Sequence, residues 1–245
     1  MQIAFIPTVH TLETDNTDYH MALTHLILKY PHYKEYYSNI SGYIILDNSL
    51  IELGGSVDIE TVIEAAEMIN PNEIVLPDVF LDCAATLKIT EKTLNRLDKL
   101  GVSVEYKLQA VAHGKSKDDW QYCWNELSKI DEIDCISIPK VTTTVFGHRG
   151  DAIKYALKHN LLDKEIHLLG LWDTITELKS YTPKQKKAIR GIDTSFVIHS
   201  AISGMSYLRN EFDKPDYKIN LEHEYKFDSM KLVEENKKFV LDILK

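Results

Sequence analysis

"IILDNSLIELG", residues 44–54, starts as a buried strand and then changes character. Tyr43, Ile44, Ile45 and Leu46 run straight into Asp47, Asn48 and Ser49. Apolar residues resume at Leu50 and Ile51, followed by a second acid, Glu52, and the pair Gly54-Gly55. Two readings fit: a turn that ends a strand, or a reactive group mounted at the lip of a rigid sheet. The choice depends on whether other strands end in the same way.

They do. Short β-rich runs recur at "IAFIPT" (3–8), "YIILDN" (43–48), "EIVLPD" (73–78), "SVEYKLQAVAH" (103–113), "CISIPK" (135–140), "IHLLGL" (166–171) and "GIDTSFVIH" (191–199). Helix-like stretches separate them at 58–69, 83–100, 118–130 and 150–162. In the second of these, Ala84, Leu87, Leu94, Leu97 and Leu100 fall at helical spacing with charged residues between. Asp58 is placed to cap the first, and Asn70-Pro71 to stop it. Apolar strands alternating with helices imply a parallel sheet covered on both faces. Seven such strands at intervals of roughly 25–35 residues favour an α/β fold of the (β/α)8 barrel type, one domain over 1–245, above a doubly wound sheet. An eighth strand is expected within 201–227, and "SMKLVEENKKFVLDILK" reads as a closing amphipathic helix. Barrel active sites lie where the strands end. The ends are Thr8, Asp47, Asp78, His113, Lys140, Gly170-Leu171-Trp172 and the Asp193–His199 stretch.

Composition sets the bounds. Of 245 residues 44% are hydrophobic and 27% charged, enough apolar material for a large core. No apolar run approaches the roughly 18–20 residues of a membrane span. "MQIAFIPTVH" reads as a first strand and not a signal peptide, and for three scattered cysteines a reducing cytoplasm is the default expectation. Cys83, Cys123 and Cys135 form no CxxC pair, which supports neither a disulfide framework nor a structural zinc site. The net charge of −9 argues against a broad nucleic-acid-coating surface. A local basic groove remains open at 179–190, "KSYTPKQKKAIR", which holds four lysines and an arginine without an acid. There Lys184, Lys186, Lys187 and Arg190 are either backbone contacts to a nucleic acid or a solvated helix face.

If the barrel is right, Asp47, Asp78 and Asp193 share one mouth. Close acids repel, which raises the pKa of at least one. Such a set suits either a hard divalent metal or a division of acid, base and nucleophile roles. One carboxylate can attack an anomeric carbon, a second can manage the proton of the leaving group, and a third can accept adjacent purine N–H groups.

The stretches "ILDNSLIELG", "EIVLPDVFLD", "LQAVAHGKSKDDW", "HLLGLWD" and "RGIDTSF", in this order over most of 42–200, resemble the tRNA-guanine transglycosylase family, and more closely its short phage-type relatives that modify DNA. The resemblance implies a (β/α)8 barrel that exchanges guanine for a 7-deazaguanine base, such as 7-cyano-7-deazaguanine, through a glycosyl-enzyme ester and without a cofactor or metal. It implies Asp47 as general acid/base, in a turn reading D-N-S-L with its glycines displaced to Gly54-Gly55. It implies Asp78 as the reader of the base, Gly170 as a glycine whose backbone faces it, and Trp172 stacked beside it. The family's V-Q-G glutamine has no clean counterpart. "QAVAHG" offers Gln109 and His113, of which His113 stands at the strand end. The nucleophile departs from the tRNA enzymes: their V-D-x-F-D run is I-D-T-S-F here, with Phe196 in place of the second aspartate, so Asp193 is the candidate. The tRNA enzymes' CxCxxC…H zinc insertion, which in the family helps bind tRNA and build the dimer, has no counterpart here, which shifts the expected substrate from tRNA to DNA. A homodimer stays open.

Other residues carry two readings each. Gly147, His148, Arg149 and Gly150 form either a phosphate-holding loop or a helix-capping turn. Lys140 would neutralise a phosphate or hold an acid. Ser49 and Asn48 shape the Asp47 turn or touch the sugar. His199 reads first as a packing residue. "YPHYKEYY" (30–37) either stacks on unpaired bases or is a helix burying its tyrosines. Two rival functions remain: a nucleic-acid-binding paralogue without catalysis, for which Phe196 argues, and a metal-dependent hydrolase.

Overall fold

The computed structural model describes residues 1–100, 106–171, 174–211, 220–224 and 230–244. Eight parallel strands form a nearly closed (β/α)8 barrel: β1 (Gln2–Phe5), β2 (Tyr19–Leu23), β3 (Tyr43–Asp47), β4 (Glu73–Val75), β5 (Lys107–Val111), β6 (Cys135–Pro139), β7 (Glu165–Leu169) and β8 (Gly191–Thr194). The ladder runs β1-β8-β7-β6-β5-β4-β3-β2, and β2 lies against β1 without a regular ladder. The helices around it are α1 (Thr24–Lys29), α2 (Pro31–Asn39), α3 (Leu50–Leu53), α4 (Ile59–Ile69), α5 (Cys83–Leu100), α6 (Lys117–Leu127), α7 (Thr143–Phe146), α8 (Arg149–Lys158), α9 (Thr174–Ser180), α10 (Pro183–Ala188), α11 (Phe196–Ile202) and α12 (Met230–Leu244). No helix among the described residues is long and apolar enough to cross a membrane.

Local sequence accounts for most of these elements. Asp58 caps α4, accepting the Thr61 N–H at 2.8 Å, and Asn70 ends the helix in a left-handed conformation. In α2, Tyr33 and Tyr37 are buried, so the aromatic stretch at 30–37 is a packing helix. His148 is the N-cap of α8 and accepts the Gly150 N–H, which settles that loop as a cap.

The eighth strand corrects the sequence reading. It is β2, Tyr19–Leu23; the described part of 201–227 contains no strand. The run 191–199 is also shorter as a strand than expected. It leaves the sheet after Thr194 and continues as α11.

The barrel floor is polar. Arg190, the residue before β8, donates to both oxygens of fully buried Glu73 at 2.6 and 2.8 Å and to Glu165 at 2.8 Å. Tyr43 Oη adds a bond to Glu73 at 2.6 Å. A buried carboxylate is tolerable when it is paired in this bidentate way.

Candidate active site

At the opposite end the strands open into one cavity of about 1010 Å³. Asp47 at the end of β3, Asp78 after β4 and Asp193 on β8 all line it. His113, Lys140 and Gly170 line it too. Its rim carries exposed apolar residues, Ile51, Leu53 and Phe80.

Asp47 is held by the turn that follows it. Ser49 has φ 61°, a left-handed conformation that costs a non-glycine residue some strain. That geometry aims the Ser49 N–H at Asp47 Oδ2, 2.7 Å away. Ser49 Oγ lies 2.8 Å from His25 Nδ1 and accepts the His25 N–H, while Thr24 Oγ1 donates to the Asp47 carbonyl at 2.6 Å. Ser49 is fully buried behind the cavity wall, so it shapes the turn and offers nothing to a sugar. Burial, then the nearby Glu52 carboxylate, push the Asp47 carboxyl well above the usual carboxylate range; Asp193 and Asp78 add to this and the Ser49 N–H opposes it. The expected effect of crowded acids thus falls on Asp47.

Asp78 is pinned on both oxygens. Asn48 Nδ2 donates to Oδ1 at 2.6 Å, and His113 Nε2 lies 2.5 Å from Oδ2. His113 Nδ1 accepts the Leu81 N–H at 3.2 Å, which leaves its proton on Nε2 for Asp78. Each Asp78 oxygen keeps one further acceptor position.

Asp193 is held on one side alone. Its Oδ1 accepts the Gly170 N–H at 2.9 Å and faces His167 Nε2 at 3.1 Å; among the described residues no hydrogen bond reaches Oδ2. The Gly170 carbonyl accepts from Arg149 Nη2 at 2.6 Å, so both backbone groups of Gly170 already have partners. Gly170 has φ +71°, which suits glycine, and a Cβ there would stand 3.1 Å from Lys140 Cδ.

Several residues read as binding groups have other work. Arg149 is fully buried; it pairs with Glu177 at 2.6 and 2.9 Å and donates to the carbonyls of Ile138, Leu169 and Gly170. It braces the ends of β6 and β7 and cannot reach a phosphate. Arg190 is committed to the floor. Gln109 points there too, with its Oε1 3.2 Å from Arg190 Nη2, and does not line the cavity. Lys184 and Lys187 are exposed on α10, which leads into the lower end of β8, away from the mouth; Lys186 donates to the Ile243 carbonyl. The basic stretch is therefore a helix face remote from the cavity. Trp172 lies outside the described residues. Among the described residues no three His, Cys, Asp or Glu side chains gather closely enough to hold a metal ion.

No protein-family model matches the chain, and no curated protein matches it.

Four contributors escaped the sequence reading. His25 and Glu222 line the cavity, and Glu222 also binds Lys29 and Tyr30. His167 and Tyr19 stand beneath Asp193. A histidine among the apolar residues of "IHLLGL" was a signal for His167. His199 lines the cavity as well, and burial and Lys140 push its ring down to about 3, which favours the neutral imidazole.

Proposed function

We propose that the chain exchanges guanine in a nucleic acid, DNA in preference to tRNA, for a 7-deazaguanine base such as 7-cyano-7-deazaguanine. The observation that carries the reading is the unequal treatment of two acids in one cavity. Asp47 is set to keep a proton, and Asp193 is clamped on one oxygen while among the described residues no hydrogen bond reaches the other. Asp193 Oδ2 attacks the anomeric carbon as the bond to the base nitrogen breaks, and Asp47 delivers its proton to the departing guanine. The incoming deazaguanine then gives its ring N–H proton to Asp47, its nitrogen attacks the same carbon, and the Asp193 ester is released. Asp78, with His113 and Asn48 behind it, faces the base. The cavity of about 1010 Å³ lies at the upper end of the usual 300–1,000 Å³ for small-molecule sites, which leaves room for a nucleotide. A duplex target has to be flipped out, at a cost of a few kcal/mol.

The test is nucleoside analysis of DNA and tRNA from cells that express the chain and contain 7-cyano-7-deazaguanine. The expected result is a deazaguanine nucleoside in DNA that disappears with Asp193→Asn. The modified nucleoside in tRNA alone would reassign the substrate. Its absence from both pools would overturn the exchange reading and leave the binding paralogue.

A further inference from the structure

A column of side chains crosses the barrel interior from its floor to Asp193. Arg190 Nε donates to Tyr19 Oη at 3.2 Å; Tyr19 Oη lies 2.9 Å from His167 Nδ1; His167 Nε2 lies 3.1 Å from Asp193 Oδ1. Three strands supply the links: β2 gives Tyr19, β7 His167 and β8 Asp193, with Arg190 entering just below β8. The column has a fixed direction. A guanidinium stays charged and can only donate. The Tyr19 oxygen accepts from it and turns its own proton to His167 Nδ1. The His167 proton is then left on Nε2, facing Asp193. The fold makes room for this arrangement at Gly191, where a Cβ would stand 2.5 Å from Tyr19 Cε1 and 2.6 Å from its Oη.

We propose that Arg190 and Tyr19 are positioning residues that fix the Nε2–H tautomer of His167, so that a neutral imidazole holds Asp193 Oδ1 and leaves Oδ2 as the attacking oxygen. The proposal rests on the reading of Asp193 as the nucleophile. Burial supports it by holding the His167 ring below the usual imidazole range. The facing groups are Asp193 and Glu73, which favour the charged ring, Arg190, which opposes it, and the Tyr19 hydroxyl. A charged ring would put a second proton on Nδ1, against the hydroxyl proton already there. A neutral donor orients the carboxylate without forming the ion pair that would blunt its attack.

The first test needs no substrate. Side-chain ¹⁵N NMR of the whole chain, with His167 assigned by its loss in His167→Gln, should show the Nε2–H tautomer at pH 7. Tyr19→Phe, which removes one oxygen, should give a mixture of both tautomers. An Nδ1–H tautomer or an imidazolium in the wild type, or no change in Tyr19→Phe, would overturn the proposal. The second test follows trapping of the protein–DNA ester with a guanine-containing oligonucleotide. Tyr19→Phe should lower kcat about tenfold with KM unchanged. His167→Gln, which keeps an N–H donor at that position, should retain more activity than His167→Leu; equal losses would point to packing alone. If no ester forms with any oligonucleotide, the exchange reading fails, and the tautomer measurement still decides the column.

Discussion

At Asp47 burial and a neighbouring carboxylate push a single carboxyl above the usual range, and the cause can be moved by mutation. Burial is the larger part, and the Glu52 carboxylate comes next. Under the proposed exchange the departing base takes its proton from Asp47, so ester formation should fall as pH rises through the raised pKa. Glu52→Gln removes one repulsion, and the falling limb should move to lower pH; an unmoved limb would assign the titration to another group. Asp47→Asn should cost about 10²–10⁴ in the exchange rate. It should also stabilise the fold at neutral pH. The folded state holds this proton to higher pH than the unfolded chain does, so stability falls as pH rises from the usual aspartate range through the raised value, and the amide does not pay that penalty. Urea midpoints of the two proteins at pH 7 check the sign. Arg149 makes the opposite case. Arg149→Met leaves Glu177 buried beside Tyr181 and releases the Gly170 carbonyl, and should cost about 3–5 kcal/mol in unfolding experiments.

Among the elements, β2 and β8 show what the sequence could and could not disclose. Six of the expected strands announced themselves as apolar runs, five of them ending in a polar residue, and β8 did so with its length overdrawn. β2, "YHMAL", did not: it carries a histidine and passes without a turn residue into Thr24 and α1, so the whole stretch has no strand boundary to read. His25 was lost with it. Asp47, Asp78, His113, Lys140, Gly170 and Asp193 were legible because strand ends meet at one face of a barrel. Arg149 and Arg190 were misread because their charge is local in sequence while their partners, Glu177 and Glu73, lie 28 and 117 residues away. Gly191 in "RGID" looks like an ordinary strand entry, but the Tyr19 ring occupies the space of its missing side chain. Gly191→Ala has to displace that ring or the β2–β8 spacing. The expected loss is about 1–3 kcal/mol by overpacking, read from chemical denaturation, whereas a glycine that served chain entry alone would tolerate alanine.

For the whole molecule, the weak point is the seam where β2 meets β1 without a ladder. A buried histidine–aspartate contact lies beside that seam. His20 Nδ1 lies 3.0 Å from Asp15 Oδ2, and His20 Nε2 lies 3.1 Å from the Ser41 carbonyl, so both ring nitrogens face acceptors. Tyr37 Oη donates to the same Asp15 oxygen at 3.0 Å and Tyr36 Oη to the Asp15 carbonyl at 2.6 Å, which ties α2 to the seam. Gly42 closes the group: it has φ +122°, and a Cβ would stand 2.9 Å from His20 Nε2. Burial opposes the charged ring, but Asp15 and the Ser41 carbonyl outweigh it, and the His20 pKa is raised. A raised folded pKa means that the pair's stabilisation is complete below the unfolded histidine value, about 6.5, and is lost as pH rises through the folded value. Over that window stability should decline by at most about 1.4 kcal/mol per pH unit for the one proton. Urea unfolding from pH 6 to pH 9 should show the decline in the wild type and a flatter profile in His20→Gln, which starts from lower stability. Equal slopes in the two proteins would mean that His20 is neutral and that packing alone closes the barrel.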